Sequence, residues 1–523
     1  METPLSPLEF ARRARKLYPD REAVVDGDRR YTYRQFLDRC DRASSAFQTL
    51  GVVKGDRVAL ISPNTHTNLE TYYSIPQFGG VIVPINYRLT ADDFVYLINH
   101  SGSKIVCAHP DYFDAIDSIR TQLPNVEHYI AFEGSHDGWL AYETLVEQAS
   151  PDFHRTEVAE TDLLSVNYTS GTTSRPKGVM ITHRNAWMNS VGVLVHMHMT
   201  PSDRYLWTLP MFHANGWTFI WTVTAVGATH VCLRKVEPLA IYDHINREAV
   251  SLLCAAPTVL IGIANGPEAQ RRAVRPGVRV ITAGAPPAPA TIERVEGELG
   301  WTITQAYGLT ETSPFITICE PLPAHDELSA EQRALIKARQ GVELVTSGET
   351  AVFDDQDQPV PADGTTLGEI VARGNTVMRG YYNDPEASAK ALKGGWFRTG
   401  DAAVVHPDGY IEIRDRLKDV IISGGENISS IEVEGTLLRH PAIIEVAVVG
   451  MPHEKWGESP EAFVVLRSGH SLADGELKTF CRASLAHFKV PTSFHVVAEL
   501  PKTATGKIQK FVLRGKRAAI ATQ

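Results

Sequence analysis

Cysteine is scarce in this sequence, with six residues among 523, each far from the others. Without a CxxC pair the pattern offers neither a zinc ribbon nor a disulfide framework, so reduced thiols are expected. Positive charge is also in deficit. The 51 lysines and arginines are outnumbered by 61 aspartates and glutamates, for a net charge of −10. No global basic field therefore attracts nucleic acid or an anionic membrane. An integral membrane segment is not expected either. Residues 205–233 carry no Asp, Glu, Lys or Arg, but Pro210, His213, Asn215, Gly216, Gly227 and His230 interrupt them. A spanning helix needs about 20 predominantly apolar residues, so this stretch should be buried strand, loop and helix lining an apolar pocket. The first residues lack the apolar core of a signal peptide, and the last five, 519–523, form neither a lipidation box nor a peroxisomal address. A cytoplasmic protein is the expectation.

What is present fits a large enzyme. Hydrophobic residues at 43% leave enough apolar material for more than one core, which excludes a mainly disordered chain. At roughly 150 residues per domain the length predicts about three units. Leu37, Cys40, Ala43, Phe47 and Leu50 recur at helical spacing up to Gly51. Apolar runs at 57–61, 80–85, 105–108, 163–168, 229–233, 252–256 and 278–283 have strand length. Helix-length segments between them predict α/β layers with largely parallel, buried sheets. After residue 345 the pattern changes to short strands with alternating faces, at 368–372, 402–406 and 410–414. Turns at Asn383-Asp384-Pro385 and Pro407-Asp408-Gly409 punctuate them, so a small β-rich subdomain is expected. Beyond the charged cluster 414–419 a compact α+β pattern resumes, with strands near 445–449 and 462–466 and a helix carrying Leu477, Cys481 and Leu485.

The segment Tyr168-Thr169-Ser170-Gly171-Thr172-Thr173-Ser174-Arg175-Pro176-Lys177-Gly178 follows an apolar strand and gathers hydroxyls, glycines and two cations. Such a loop can wrap a polyphosphate, because N–H groups and hydroxyls donate, glycines permit close approach, and a cation offsets charge. It is not a Walker A loop, since Pro176 and Gly178 stand where that motif needs Gly and Ser or Thr. His196-Met197-His198 is not a metal pair, because i,i+2 residues do not share a helix face.

The loop resembles the phosphate-loop signature of the adenylate-forming superfamily, which includes acyl-CoA synthetases, firefly-type luciferases and peptide-synthetase adenylation domains. Further signatures follow in that superfamily's order: Pro210-Met211-Phe212-His213, Gly284-Ala285-Pro286, Tyr307-Gly308-Leu309-Thr310-Glu311-Thr312, Thr399-Gly400-Asp401, Asp415-Arg416-Leu417-Lys418-Asp419, and Pro501-Lys502-Thr503-Ala504-Thr505-Gly506-Lys507. The resemblance covers essentially the whole chain. It implies an α/β fold with a large N-terminal body, residues 1–417, made of two α/β sheet subdomains plus a small β-rich one. A small mobile α+β C-terminal domain, residues 418–523, follows a hinge at Lys418.

The implied chemistry sets one anion, a carboxylate, to attack another, the α-phosphate of ATP, so charge neutralisation and positioning are the main tasks. By resemblance, Thr169, Ser170, Gly171, Thr172, Thr173 and Lys177 hold the phosphates. Glu311 holds Mg²⁺, with Thr169 a second contact; oxygen ligands suit that hard cation. Gly284, Ala285 and Pro286 enclose the adenine with Gln305, Ala306 and Tyr307, the Tyr307 ring stacking on it, and Gly308 and Thr310 belong to the same motif. Asp401 accepts from the ribose hydroxyls and Arg416 donates to ribose or phosphate. Lys507 reaches the carboxylate and α-phosphate. His213 lies beside the acyl carboxylate and CoA thiol, Trp217 resembles the aromatic gate of certain fatty acyl-CoA synthetases, and Gly424 and Gly425 line the pantetheine tunnel. Ile422 stands where some relatives carry a lysine.

The expected activity is therefore an AMP-forming acyl-CoA ligase using ATP, Mg²⁺ and coenzyme A. The uncharged pocket region points to an apolar acid of the fatty or methylthiopropionate type rather than an amino acid. Loading of a carrier-protein thiol is the nearest alternative, a luciferase-like oxygenase shares the first half-reaction, and a catalytically dead nucleotide-binding partner is the rival outside enzymology. A homodimer is compatible with the sequence.

Overall fold

The computed structural model describes residues 2–169, 175–424, 426–502 and 508–520. Two large sheets form the body. One has seven strands in the order Leu140–Ala141, His128–Ala131, Ile105–Ala108, Arg57–Ile61, Val81–Pro84, Leu163–Tyr168 and Gly178–Thr182. All its pairings are parallel except the last, where Gly178–Thr182 folds back on Leu163–Tyr168. The other has nine strands, whose parallel centre runs Thr302–Gly308, Arg279–Thr282, Leu252–Ala255, Arg204–Leu206 and Thr229–Val231. Their continuous apolar composition fits this placement, since parallel strands are covered on both faces.

Between the two sheets lies a layer of helices. Helix His66–Ser74 has all nine of its residues buried, and Tyr33–Thr49 packs beside it. One apolar cluster accordingly contains Val58, Ile82 and Ile105 from the first sheet with Tyr205, Leu252 and Ile281 from the second. Residues 205–233 form the interior expected of them: strands Arg204–Leu206 and Thr229–Val231 enclose the buried helix Phe219–Val226. All six cysteines are buried and unbridged. Among the described residues, no helix is long and apolar enough to cross a membrane.

The β-rich subdomain is a four-stranded antiparallel sheet in the order Glu349–Phe353, Gly368–Arg373, Phe397–Val405 and Ile411–Arg416. The strand expected at 402–406 begins earlier, at Phe397, because its first half alternates buried and half-buried positions across Arg398 and Gly400. After it comes a separate α+β unit. Its long strands Ile443–His453 and Gly457–Leu466 pair over ten residue positions, with helices Ser430–Leu437 and Glu476–Arg482 on their apolar face.

Charge is buried in the body as well. His66, fully buried, places Nδ1 2.7 Å from Asp26 and Nε2 3.2 Å from Glu143. Arg29 also approaches Nε2 at 3.0 Å, and both cations share Glu143. Burial alone would lower the imidazole pKa, but the hydrogen bonds to Asp26 and Glu143 outweigh it and raise the value to about 9. A raised folded-state pKa contributes stability that is complete below the unfolded value near 6.5 and lost as pH rises through about 9. The melting temperature should therefore fall between pH 6.5 and 9, and His66→Gln should flatten that slope; an equal slope in both proteins would contradict the assignment.

Candidate active site

Strand Leu163–Tyr168 runs out of the seven-stranded sheet at Thr169, and the chain returns through Pro176 and Lys177 into Gly178–Thr182. The Thr169 N–H donates to the Lys177 carbonyl at 3.0 Å, so the loop between them is closed at its base. Tyr96 steadies the return limb by donating to the Pro176 carbonyl at 3.1 Å. Gly178 has to be glycine here, because a Cβ would meet Val166 at 2.8 Å. Ser170, Gly171, Thr172, Thr173, Gly425 and Lys507 lie outside the described residues.

A tyrosine that motif reasoning passed over brings Lys177 and Glu311 together. The Lys177 ammonium sits 4.8 Å from the Tyr381 ring centroid, and the Tyr381 hydroxyl donates to Glu311 Oε1 at 2.9 Å. Met378 N–H fixes the Glu311 carbonyl at 2.8 Å. Burial, and then the Glu311 charge, push the Tyr381 phenol far above its usual range, so it remains a donor. The sequence signal was slight: two tyrosines ahead of the Asn383-Asp384-Pro385 turn.

The residues expected to hold the nucleotide converge from two sheets. Strand Thr302–Gly308 carries Gln305, Ala306, Tyr307 and Gly308, and the single turn Thr310–Thr312 presents Thr310 and Glu311. Gly308 passes so close to the Pro314 carbonyl that a Cβ would lie 1.8 Å from it. Gly284, Ala285 and Pro286 follow strand Arg279–Thr282, at the carboxyl ends of the parallel strands where open α/β sheets bind ligands. Across from them, Asp401 and Arg416 are register partners in the small sheet. Arg416 Nε lies 2.7 Å from Asp401 Oδ1, and the Tyr307 hydroxyl donates to Oδ2 at 2.6 Å. The motif marks Tyr307 for its ring; its hydroxyl holds the carboxylate.

His213 and Trp217 border the same region. The Trp217 ring is 3% exposed, lies 6.4 Å from His213 and meets Phe315 edge-on at 5.5 Å. Strand Phe315–Ile318 begins four residues after Glu311, so these aromatics adjoin the Glu311 turn. Lys418 comes two residues after Arg416, where Leu417 N–H is tied to the Gly400 carbonyl at 2.9 Å. Next to it, Asp415 accepts from Ser430 N–H at 2.8 Å and Ser430 Oγ at 2.5 Å, joining the body to the first helix of the C-terminal unit. Gly424 has a local reason for lacking a side chain: φ is +60° and a Cβ would lie 2.9 Å from Trp456.

The AMP-binding enzyme family matches residues 10–382, and the AMP-binding enzyme C-terminal domain matches residues 432–507. The chain belongs to the AMP-binding enzyme family. It is 43% identical over 528 residues to a 4-hydroxybutyrate–CoA ligase of Metallosphaera sedula, spanning 99% of this chain and 96% of that one. A peroxisomal acetate/butyrate–CoA ligase of Arabidopsis thaliana is 41% identical over 540 residues, spanning 98% and 95%. In structure the chain superposes on an anthranilate CoA ligase in complex with anthranoyl-AMP, with a TM-score of 0.88, 25% identity and 100% of both chains covered. The chain is thus an AMP-forming acid–thiol ligase, an acyl-CoA synthetase.

In this ligase, Tyr381→Phe keeps the ring beneath Lys177 and removes only the hydrogen bond to Glu311. Losing a hydrogen bond to a charged group should lower kcat/KM for ATP by about tenfold or more, with the fold intact by circular dichroism. Wild-type kinetics in the variant would detach Tyr381 from the site.

Proposed function

We propose that this acyl-CoA ligase activates a short apolar carboxylic acid. The observation that carries the reading is Trp217, whose indole is 3% exposed and packs edge-on against Phe315; on this reading the ring closes the acyl site to an extended chain. The relatives named for acetate, butyrate and 4-hydroxybutyrate support it. On this reading the acid lies at the short end of the fatty-acid expectation.

The reaction has two halves. The acid's carboxylate oxygen attacks the α-phosphorus of ATP and pyrophosphate leaves; the CoA thiol then attacks the acyl carbonyl carbon and AMP leaves. In the first half, Lys177 and the loop of Thr169, Ser170, Gly171, Thr172 and Thr173 offset the phosphate charge, and Lys507 reaches the reacting oxygens. Asp401 and Arg416 hold the ribose side, with Gly284, Ala285, Pro286 and the strand of Tyr307 around the base. His213 orients the carboxylate and later the thiol. The carboxylate of Glu311 retains acceptor capacity beyond its one bond from Tyr381. That suits Mg²⁺, which binds through one or two carboxylates, waters and substrate phosphates. The ion would supply neutralisation of the phosphate charge. Lys418 serves as the hinge between a body of residues 1–417 and a C-terminal domain of residues 418–523, exchanging the Lys507 loop for the face carrying Gly424 and Gly425. Placement in the cytoplasm belongs to this proposal as well.

Release of AMP and formation of acyl-CoA across acids from acetate to palmitate, with benzoate and methylthiopropionate, tests the reading. Turnover should peak at acids of a few carbons; adenylation without transfer to free CoA would favour a carrier-protein thiol as acceptor. Trp217→Gly, which suits the left-handed backbone there, should raise the octanoate-to-butyrate ratio of kcat/KM by about tenfold or more, several methylenes' worth of burial; an unchanged ratio would contradict the role of the indole. Lys507→Ala should cut adenylation by about 10²–10³-fold, the scale of one preorganised contact, while sparing thioester formation from supplied acyl-adenylate. Equal loss in both halves would refute the rotating-domain assignment.

A further inference from the structure

The turn that carries Trp217 is left-handed over five consecutive residues, with φ of 38° at Ala214, 48° at Asn215, 56° at Gly216, 49° at Trp217 and 68° at Thr218. Only glycine enters this region freely, with asparagine the next most tolerant, so such a run persists only where its surroundings over-determine it. Gly216 is required by space as well as by φ, since a Cβ would lie 2.6 Å from the Trp207 ring.

A closed polar ring holds the turn from beneath. Asn215 Nδ2 donates to Ser165 Oγ at 2.7 Å, Ser165 Oγ donates to Asn167 Oδ1 at 2.7 Å, and Asn167 Nδ2 returns to Asn215 Oδ1 at 3.4 Å. Asn167 Nδ2 also donates to the Phe212 carbonyl at 3.2 Å, one residue before His213. All three side chains are at most 2% exposed. Polar groups this deep cost stability unless paired, and here each member both gives and receives, with the Phe212 carbonyl, which can only accept, fixing the sense of the ring. Ser165 and Asn167 share a face of strand Leu163–Tyr168, the strand that continues into the phosphate loop at Thr169.

We propose that Asn215 is a positioning residue: through Ser165 and Asn167 it registers the acyl-site turn, with His213 and Trp217, against the strand that feeds the phosphate loop. The acyl carboxylate and the α-phosphate must meet within reacting distance, and this ring, with the Asn167 bond to the Phe212 carbonyl, links the elements that hold them. The inference rests on the reading that His213 and Trp217 border the acyl group.

Asn215→Gly removes the side chain without disfavouring the left-handed backbone, and Ser165→Ala breaks the same ring from the strand side. Each should raise KM for the acid and lower the butyrate-to-octanoate ratio of kcat/KM by about tenfold, the scale of a lost buried hydrogen bond with an unpaired partner. KM for ATP should stay within about twofold. An unmoved acid KM and chain-length ratio in an active enzyme overturn the inference alone. So does a parallel loss toward acid and ATP with a lowered melting temperature in both variants, which would make the ring structural only. A wild-type chain that forms no acyl-CoA from either acid overturns the functional reading and this inference with it.

Discussion

Asp401 carries a carboxylate to a position only 4% exposed, and its surroundings are arranged around keeping it there. A buried charge without partners is strongly unfavourable, and removing one member of a buried pair typically costs about 3–5 kcal/mol. Its two partners come from different places: Tyr307 from the nine-stranded sheet and Arg416 from the neighbouring strand of the small sheet. The same three side chains therefore dock the β-rich subdomain on the body and shape the end of the site we propose for the nucleotide. They also fix the chain two residues before Lys418. A second fixed point, Asp415 with Ser430, faces the C-terminal unit.

The charge balance fits this arrangement. A chain of net −10 that uses ATP and CoA, both polyanions, must place its cations locally. Lys177 and Arg416 are held by their own neighbours, Lys177 over an aromatic ring and Arg416 on a carboxylate, before any substrate arrives. Preorganisation of that kind avoids reorganisation cost at the moment of reaction.

Much of this was legible in the sequence because parallel strands buried on both faces leave continuous apolar runs. The runs at 57–61, 105–108 and 163–168 coincide with strands Arg57–Ile61, Ile105–Ala108 and Leu163–Tyr168. The ordered motifs also brought Asp401, Arg416, Tyr307 and Glu311 to one region. Three features stayed hidden because they are tertiary. Tyr381 matters through a partner 70 residues away in sequence, which no local spacing reveals. The left-handed turn depends on side chains from another strand, and helix periodicity says nothing of it. Gly424, read as room for a ligand, also lies against Trp456, a second constraint visible only once the C-terminal strands are paired.

We propose that this ligase forms an enzyme-bound acyl-adenylate before CoA takes part. ATP–pyrophosphate isotope exchange, measured with the full chain and butyrate but without CoA, tests it most directly. The account predicts exchange that depends on the acid and needs no CoA. Exchange absent without CoA, from an enzyme that makes butyryl-CoA when CoA is added, would contradict it.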